Sequence, residues 1–195
     1  MLEIIAILRG VKPNEVLDIG EQLIKAGIKK IEVPLNSPEP YLSIESLIAE
    51  FGNVATIGAG TVLHSSEVEK LASIGVEMIV SPNCDVEVIQ ATKALGLQSY
   101  PGVFTPSECL NAVQAGADAL KLFPASLMGI DGFNAIKVVL PSDTQFYPVG
   151  GVGPEDFSSW LDAGVTGFGL GSAIYKSGDS AEDVKLRAEK IVLAL

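Results

Sequence analysis

Hydrophobic and polar positions follow two alternating patterns along this chain. Short apolar runs rich in Val and Ile alternate with amphipathic stretches of about ten to fourteen residues. The runs are short and continuous, which is typical of strands buried in a parallel sheet. They span residues 3–8, 29–33, 54–59, 77–81, 97–101, 119–123, 145–149 and 167–170. The stretches between them are predicted to be helices, and the last covers about residues 180–193.

Eight strand–helix units predict an α/β protein, a single-domain (β/α)8 TIM barrel over residues 1–195. No Pro-rich, Ser-rich or charge-blocked segment indicates a linker or a second domain. The length is near the small end for this fold, so the loops must be short. A doubly wound open sheet is the alternative, but it usually has fewer strands, and no G-x-G-x-x-G follows the first strand here.

Regularly placed glycines support the barrel. The predicted helices before strands two, four, six and eight end in Gly27, Gly75, Gly116 and Gly164. Glycine suits the end of a helix because it accepts the left-handed conformation. Five positions after these glycines stand Glu32, Val80, Lys121 and Gly169. Alternate strands of such a barrel supply one layer of inward side chains, so Glu32 and Lys121 are predicted to face each other.

Charge and cysteine content exclude several classes of protein. With 13 basic and 24 acidic side chains the formal charge is −11, which argues against nucleic-acid and anionic-membrane partners. No apolar run approaches the roughly 18 residues of a membrane span, and the start lacks the basic segment of a signal peptide. Cys84 and Cys109 are predicted to be free thiols of a soluble, cytoplasmic protein. A single His and the absence of C-x-x-C predict no metal site and no cofactor.

Three charged residues stand in or at the end of predicted strands. They are Glu32, Lys121 and Arg9. Charged side chains are rarely fully buried unless they are paired or take part in binding or catalysis. Each could mark a strand end that turns out to solvent, or Glu32 and Lys121 could form a structural ion pair. Because barrel active sites lie at the C-terminal ends of the strands, we favour a functional role for all three.

These residue types suit one kind of chemistry. A desolvated lysine has a lowered pKa, and its neutral amine can form a Schiff base with a carbonyl. A nearby carboxylate can move protons on and off the adduct, and an arginine can hold a substrate carboxylate or phosphate. Since no metal ligands are predicted, the iminium itself must withdraw electrons. This pattern favours carbon–carbon bond cleavage next to a ketone.

Two glycine-rich loops follow strands seven and eight, where barrels often bind phosphate through backbone N–H groups. Their candidate residues are Gly150, Gly151, Gly171 and Ser172. Barrel turns are often glycine-rich in any case, which is the alternative interpretation. Of the 13 basic residues, only Arg9 and Lys121 are assigned to the site, so backbone N–H groups replace a basic patch.

Five other residues are assigned from their positions in the predicted elements. Thr61 could donate to a substrate carboxylate, and Pro82 and Phe123 could form apolar walls. His64 is expected at the surface. Trp160 is expected to be a packing residue.

Six segments, in order, resemble the 2-keto-3-deoxy-6-phosphogluconate (KDPG) and 2-keto-3-deoxy-6-phosphogalactonate (KDPGal) aldolase family. They are ILRG (7–10), EVPLNSP (32–38), IGAGTV (57–62), ALKLFP (119–124), VGGV (149–152) and GLGS (169–172). The family is metal-free, or class I, and its members are commonly homotrimers. The resemblance implies that Lys121 is the Schiff-base lysine and Glu32 the general acid/base. It also implies that Arg9 and Thr61 hold the pyruvate end and that the two glycine loops hold the phosphate.

Asn36 bears on the choice of substrate. The gluconate branch tends to carry an arginine in this segment, so the resemblance favours cleavage of the galactonate substrate to pyruvate and glyceraldehyde 3-phosphate. The gluconate substrate, or dual specificity, is the alternative. From other classes, a phosphosugar isomerase or epimerase and a non-catalytic phosphosugar sensor stay open.

Overall fold

The computed structural model describes residues 3–195, which form nine strands and eight helices. The strands are β1 (Glu3–Ile7), β2 (Lys30–Pro34), β3 (Thr56–Gly60), β4 (Met78–Val80), β5 (Gln98–Tyr100), β6 (Gly102–Val103), β7 (Leu120–Leu122), β8 (Phe146–Pro148) and β9 (Gly167–Leu170). The helices are α1 (Val16–Lys25), α2 (Pro40–Phe51), α3 (Ser65–Ser73), α4 (Val86–Ala94), α5 (Pro106–Gln114), α6 (Ala125–Lys137), α7 (Phe157–Ala163) and α8 (Ala181–Leu193).

All strand pairs are parallel, as the alternation of strands and helices predicts. One curled sheet has the order β5-β4-β3-β2-β1-β9, and a second has the order β6-β7-β8. Backbone contacts also join the two sheets. The N–H of Asp118 donates to the carbonyl of Ser99 (3.0 Å), and that of Thr166 donates to the carbonyl of Phe146 (2.9 Å). Every predicted strand is found, and the C-terminal ends of all strands lie at one end of the fold.

The fifth predicted strand differs from expectation because it is divided into β5 and β6. Pro101 stands between them and has no N–H to donate to a neighbouring strand. Just after it, a Cβ atom on Gly102 would overlap the carbonyl of Pro82, so only glycine fits there. The third strand also starts later than predicted, at Thr56, and Val54 is exposed.

Helix boundaries agree closely with the sequence signals. Gly27, Gly75, Gly116 and Gly164 have φ angles of 95°, 93°, 95° and 97°, which confirms the predicted left-handed glycines. The last helix begins at Ala181 with Ser180 as its N-cap. None of the helices in the described part of the chain is long and apolar enough to cross a membrane.

The helices pack on the outside of the curled sheet and enclose most of the apolar core. Trp160 is buried on α7 with its ring 5.8 Å from that of Phe133, which confirms its packing role. Inside the sheet, Lys30 donates to Glu3 (2.8 Å) and to the Tyr100 hydroxyl (3.0 Å). Tyr147 also donates to Glu3. This polar network fills the N-terminal end of the interior.

Candidate active site

Glu32 on β2 and Lys121 on β7 are buried in the interior of the curled sheet. Their exposed fractions are 1% and 5%. The flanking residues on each strand point towards the helices and belong to the apolar core. Because side chains alternate along a strand, Glu32 and Lys121 point into the interior of the curled sheet. Among residues 3–195, neither makes an ion pair, and the Oε2 atom of Glu32 has no hydrogen-bond partner. The structural ion pair considered from the sequence is therefore absent.

Burial shifts the pKa of both groups towards their neutral forms. Desolvation raises the pKa of Glu32 to about 7, although the nearby charges of Lys121 and Arg9 act in the opposite direction. Desolvation lowers the pKa of Lys121 from its ordinary value, with help from Arg9 and against the pull of Glu32. A lysine whose pKa is lowered and a carboxyl that titrates near neutrality are the combination that nucleophilic and acid–base catalysis requires.

Lys30 is a second inward lysine, and its pKa is shifted in the opposite direction to that of Lys121. Desolvation lowers its pKa, but hydrogen bonds with Glu3 and Tyr100 outweigh that effect, so the pKa is raised overall. Lys30 is therefore an ammonium held in an ion pair. It lines a cavity of about 1030 Å³ at the N-terminal ends of the strands. The candidate nucleophile is therefore Lys121, which lines the cavity at the opposite end of the strands.

Arg9 follows β1 and is held by the loop after β2. Its Nη1 atom donates to Oδ1 of Asn36 (2.8 Å). The N–H of the next residue, Gly10, donates to Oγ of the buried Ser37 (2.9 Å). Asn36, which the resemblance connects with specificity, thus contacts the arginine expected to bind a substrate carboxylate.

A cavity of about 660 Å³ opens at the C-terminal ends of the strands. Its lining includes the predicted site residues Arg9, Lys121, Phe123, Gly150, Gly151, Gly171 and Ser172. The Nζ atom of Lys121 lies 4.8 Å from the centroid of the Phe123 ring. A keto group that enters this cavity would meet the lysine, and its remote end would meet the glycine loops.

Four other predicted site residues lie outside that lining. Glu32 is linked to the cavity through its charge interaction with Lys121, and Asn36 through its bond to Arg9. Thr61 is half-buried at the end of β3 and has a left-handed backbone, with φ at 56°. Pro82 is half-buried, and its carbonyl lies so close to Gly102 that a Cβ atom there would overlap it.

Two successive glycines in the loop after β8 have left-handed backbones. Gly150 and Gly151 have φ angles of 91° and 73°, which other residues rarely adopt. The N–H of Gly153 is already used, since it donates to Asp156 (2.9 Å). Within residues 3–195, the N–H groups of Gly151, Gly171 and Ser172 make no backbone hydrogen bond. These free donors can bind a phosphate.

Three basic residues that the sequence reasoning missed also line the cavity. They are Lys176, in the loop after β9, and Arg187 and Lys190, on α8. The cavity is thus lined by more basic residues than the two, Arg9 and Lys121, that the sequence analysis assigned to the site. In the sequence, Arg187 and Lys190 have the spacing of an ordinary solvated helix face. Only the packing of α8 beside the glycine loops brings that face to the cavity.

The remaining candidates play no part in the cavity lining. His64 is exposed at the start of α3, as expected. Cys84 and Cys109 are free thiols, and Cys84 donates to the carbonyl of Glu108. Across the described residues, no group of three or more His, Cys, Asp or Glu side chains is arranged to hold a metal ion.

Comparisons with known proteins agree with this geometry. A family model described as "Aldolase: KDPG and KHG aldolase" matches residues 1–187. The probable 2-dehydro-3-deoxy-6-phosphogalactonate aldolase of Rhizobium meliloti (strain 1021) is 48% identical over 185 residues, which cover 95% of this chain and 87% of that protein. The 2-dehydro-3-deoxy-6-phosphogalactonate aldolase of Escherichia coli (strain K12) is 45% identical over 193 residues, covering 99% and 94%.

Solved structures show the same fold. A native KDPGal structure superposes with a TM-score of 0.97 at 44% identity and covers 99% of this chain and 94% of its own. A KDPG aldolase from Legionella pneumophila, with pyruvate captured as a covalent carbinolamine, has a TM-score of 0.88 at 26% identity and covers 97% and 94%.

Proposed function

The chain belongs to the KDPG and KHG aldolase family, and from this premise we propose that it is a class I aldolase that cleaves 2-dehydro-3-deoxy-6-phosphogalactonate. The products are pyruvate and glyceraldehyde 3-phosphate. The observation that carries the proposal is the buried pair of Lys121 and Glu32, with pKa shifts that favour a neutral amine beside a carboxylic acid. Relatives at 48% and 45% identity carry the name of this activity.

The first half of the reaction forms an iminium on Lys121. Its neutral amine attacks the C2 ketone, and a proton moves from nitrogen to oxygen to give a carbinolamine. Glu32, in its acid form near neutral pH, donates a proton to the departing hydroxyl group. Water leaves, the iminium carries the positive charge, and Glu32 becomes a carboxylate.

The second half breaks the C3–C4 bond. The Glu32 carboxylate accepts the C4 hydroxyl proton, the bond electrons move into the iminium, and glyceraldehyde 3-phosphate leaves. The remaining enamine takes a proton at C3 from Glu32 and becomes the pyruvyl iminium. Water then adds at C2, and pyruvate leaves as the Lys121 amine is restored. A pKa of about 7 suits Glu32 to both directions of proton transfer.

The other site residues orient the substrate in this proposal. Arg9 and Thr61 hold the carboxylate of the pyruvate half. Phe123 and Pro82 form apolar walls around the reacting carbons. The phosphate is bound by backbone N–H groups of the two loops that contain Gly150, Gly151, Gly171 and Ser172.

We further propose that residues 1–195 form one closed (β/α)8 barrel domain, and that three copies form a homotrimer. The hydrogen bonds that join the two sheets support closure. Phe104 and Leu127 are exposed apolar residues that follow the neighbouring strands β6 and β7, which supports an interface near the site. A cytoplasmic location is in keeping with two free thiols and stays a prediction.

Reduction with borohydride in the presence of pyruvate tests the mechanism. Mass spectrometry of the digested protein should find the reduced pyruvyl adduct on the peptide that contains Lys121 and not on the one that contains Lys30. A Lys121→Ala variant should give no adduct and no cleavage. An adduct elsewhere, or full activity in that variant, would contradict the assignment.

The same experiment separates the other classes. A phosphosugar isomerase or a phosphosugar sensor has no need of a reactive amine and would give no adduct. Cleavage rates with the two C4 epimers then identify the substrate, and we expect the galactonate epimer to have the higher kcat/KM. A higher value for the gluconate epimer would overturn the substrate assignment and leave the aldolase chemistry standing.

A further inference from the structure

The cavity that contains Lys121 extends beyond the glycine loops and ends among basic side chains. Lys176, Arg187 and Lys190 line this part, together with one acidic residue, Glu155. The chain as a whole has 24 acidic and 13 basic side chains. This local cluster of positive charge therefore contrasts with the net negative charge of the chain, which indicates a specific role for it at the cavity.

Lys176 and Lys190 differ from Arg187 in their pairing. Arg187 is held by Asp179, to whose Oδ1 atom its Nη2 donates (3.1 Å). Within residues 3–195, the Nζ atoms of Lys176 and Lys190 have no carboxylate within 4.0 Å and make no hydrogen bond to protein. Their charges are consequently available to a ligand.

The backbone that carries Lys176 is fixed at the edge of the cavity. Its N–H donates to Oδ2 of Asp179 (2.6 Å), the carboxylate that also binds Arg187. The preceding Tyr175 is buried, and its hydroxyl donates to Oε1 of Glu15 (2.9 Å). Arg187 thus stabilises the loop, which leaves the Lys176 side chain free to act in the cavity.

We propose that Lys176 and Lys190 supply the positive charge that selects a phosphate dianion at this site, while the glycine loops supply the geometry. The inference rests on the proposed aldolase function and adds two specificity residues to it. Backbone N–H groups fix the direction of an anion but carry no net charge. An ammonium group is a point charge with three donors, which suits the oxygens of a phosphate. On an acidic protein, two such groups reverse the local repulsion of the substrate.

This role makes a specific kinetic prediction. Both lysines are exposed, whereas Lys121 is buried, so they act on capture and retention of the substrate rather than on bond cleavage. Their loss should raise KM and leave kcat unchanged. The loss should depend on ionic strength, because the Debye length shrinks from roughly 10 Å at 0.1 M salt to about 3 Å at 1 M. The increase in KM should also be seen only with a substrate that carries the phosphate group.

The test compares the variants Lys176→Met, Lys190→Met and the double variant with wild type. Lys185→Met is the matched control, since Lys185 lies on the same helix but is paired with Glu182. Cleavage is measured with 2-dehydro-3-deoxygalactonate in its 6-phosphorylated and non-phosphorylated forms, at low and high salt. We expect the double variant to lose about tenfold in kcat/KM for the phosphorylated substrate at low salt. High salt should narrow the difference in kcat/KM between the double variant and wild type. Lys176→Arg should keep most of the wild-type kcat/KM.

Equal losses with both substrates, losses that salt does not change, or losses matched by Lys185→Met would overturn the proposal. Borohydride trapping with pyruvate keeps this outcome separate from a failure of the proposed function. Pyruvate carries no phosphate, so all the lysine variants should form the Lys121 adduct as wild type does. If wild type itself forms no adduct, the aldolase assignment fails instead.

Discussion

Gly60 leaves the space that the carboxylate of Glu32 occupies. A Cβ atom at position 60 would overlap both carboxylate oxygens, although the backbone angles of Gly60 are ones that any residue can adopt. The two residues lie on adjacent strands, with Pro34 paired to Gly60 two positions beyond Glu32. The requirement for glycine is therefore steric, and it is directed at the candidate acid/base.

Replacing Gly60 with alanine should displace the Glu32 carboxylate without breaking the fold. A misplacement of about 1 Å can lower turnover about 100-fold, so we expect a fall in kcat of that order. Because Lys121 is untouched, borohydride trapping of pyruvate should still label it. Gly132→Ala on α6 is the control, since its Cβ would meet only the flexible Met128 side chain at 3.3 Å. Unchanged kcat in Gly60→Ala would show that the carboxylate position is not critical.

The raised pKa of Glu32 should make the protein less stable as pH rises. In the native state Glu32 keeps its proton up to about pH 7, whereas an unfolded glutamate loses it near its ordinary value of 4.5. The native state thus holds the extra proton between these values, and stability falls across that window. The full loss above pH 7 corresponds to about 3 kcal/mol, since one pKa unit is about 1.4 kcal/mol.

A Glu32→Gln variant removes this titration. We expect it to be more stable than wild type at pH 8, by up to about 3 kcal/mol, with the difference vanishing towards pH 4.5. Urea unfolding at several pH values measures the free energy of unfolding. Glu77→Gln, at an exposed position, should stay within about 0.5 kcal/mol of wild type. A constant difference between Glu32→Gln and wild type at all pH values would contradict the assigned pKa.

The inward pair could be predicted because its spacing is regular. The number of residues from each helix-ending glycine to an inward strand position is constant. The positions of Gly27 and Gly116 therefore predict that Glu32 and Lys121 point inward. The division of the fifth strand at Pro101 was not predicted, because a proline can also occupy the end of a strand. Lys190 was missed for a different reason: a charged residue on an amphipathic helix has the same sequence pattern whether solvent or a cavity lies beside it. Such residues are found only once tertiary packing is known.

Asn36 is expected to act through Arg9 rather than directly on the substrate. The bond between them, 2.8 Å long, fixes one nitrogen of the guanidinium. Its loss in Asn36→Ala should cost about 1 kcal/mol, or about fivefold in KM. The increase should be the same for both C4 epimers, because Arg9 is assigned to the carboxylate end.

A double-mutant cycle checks this coupling. In an Arg9→Ala background, Asn36→Ala should have no further effect on KM, whereas independent contacts would give additive losses. Asn14→Ala, at an exposed position outside the cavity lining, is the control. If Asn36→Ala alters the preference between the epimers, the amide contacts the C4 hydroxyl region and determines specificity itself.

Gly151 should be irreplaceable for phosphate binding for two separable reasons. Its φ of 73° is strained for alanine, and a Cβ atom would lie 2.6 Å from the side chain of Ser126. We expect Gly151→Ala to raise KM for the phosphorylated substrate while pyruvate still labels Lys121 on reduction. Gly27→Ala has the same backbone strain, with φ at 95° and no atom within 4 Å, and it lies at the opposite end of the strands. It should lower stability by about 1–2 kcal/mol and leave KM unchanged.

Adding Ser126→Gly to Gly151→Ala removes the overlap but not the strain. Recovery of KM in that double variant would assign the loss to the displaced loop, and no recovery would assign it to the backbone conformation of Gly151.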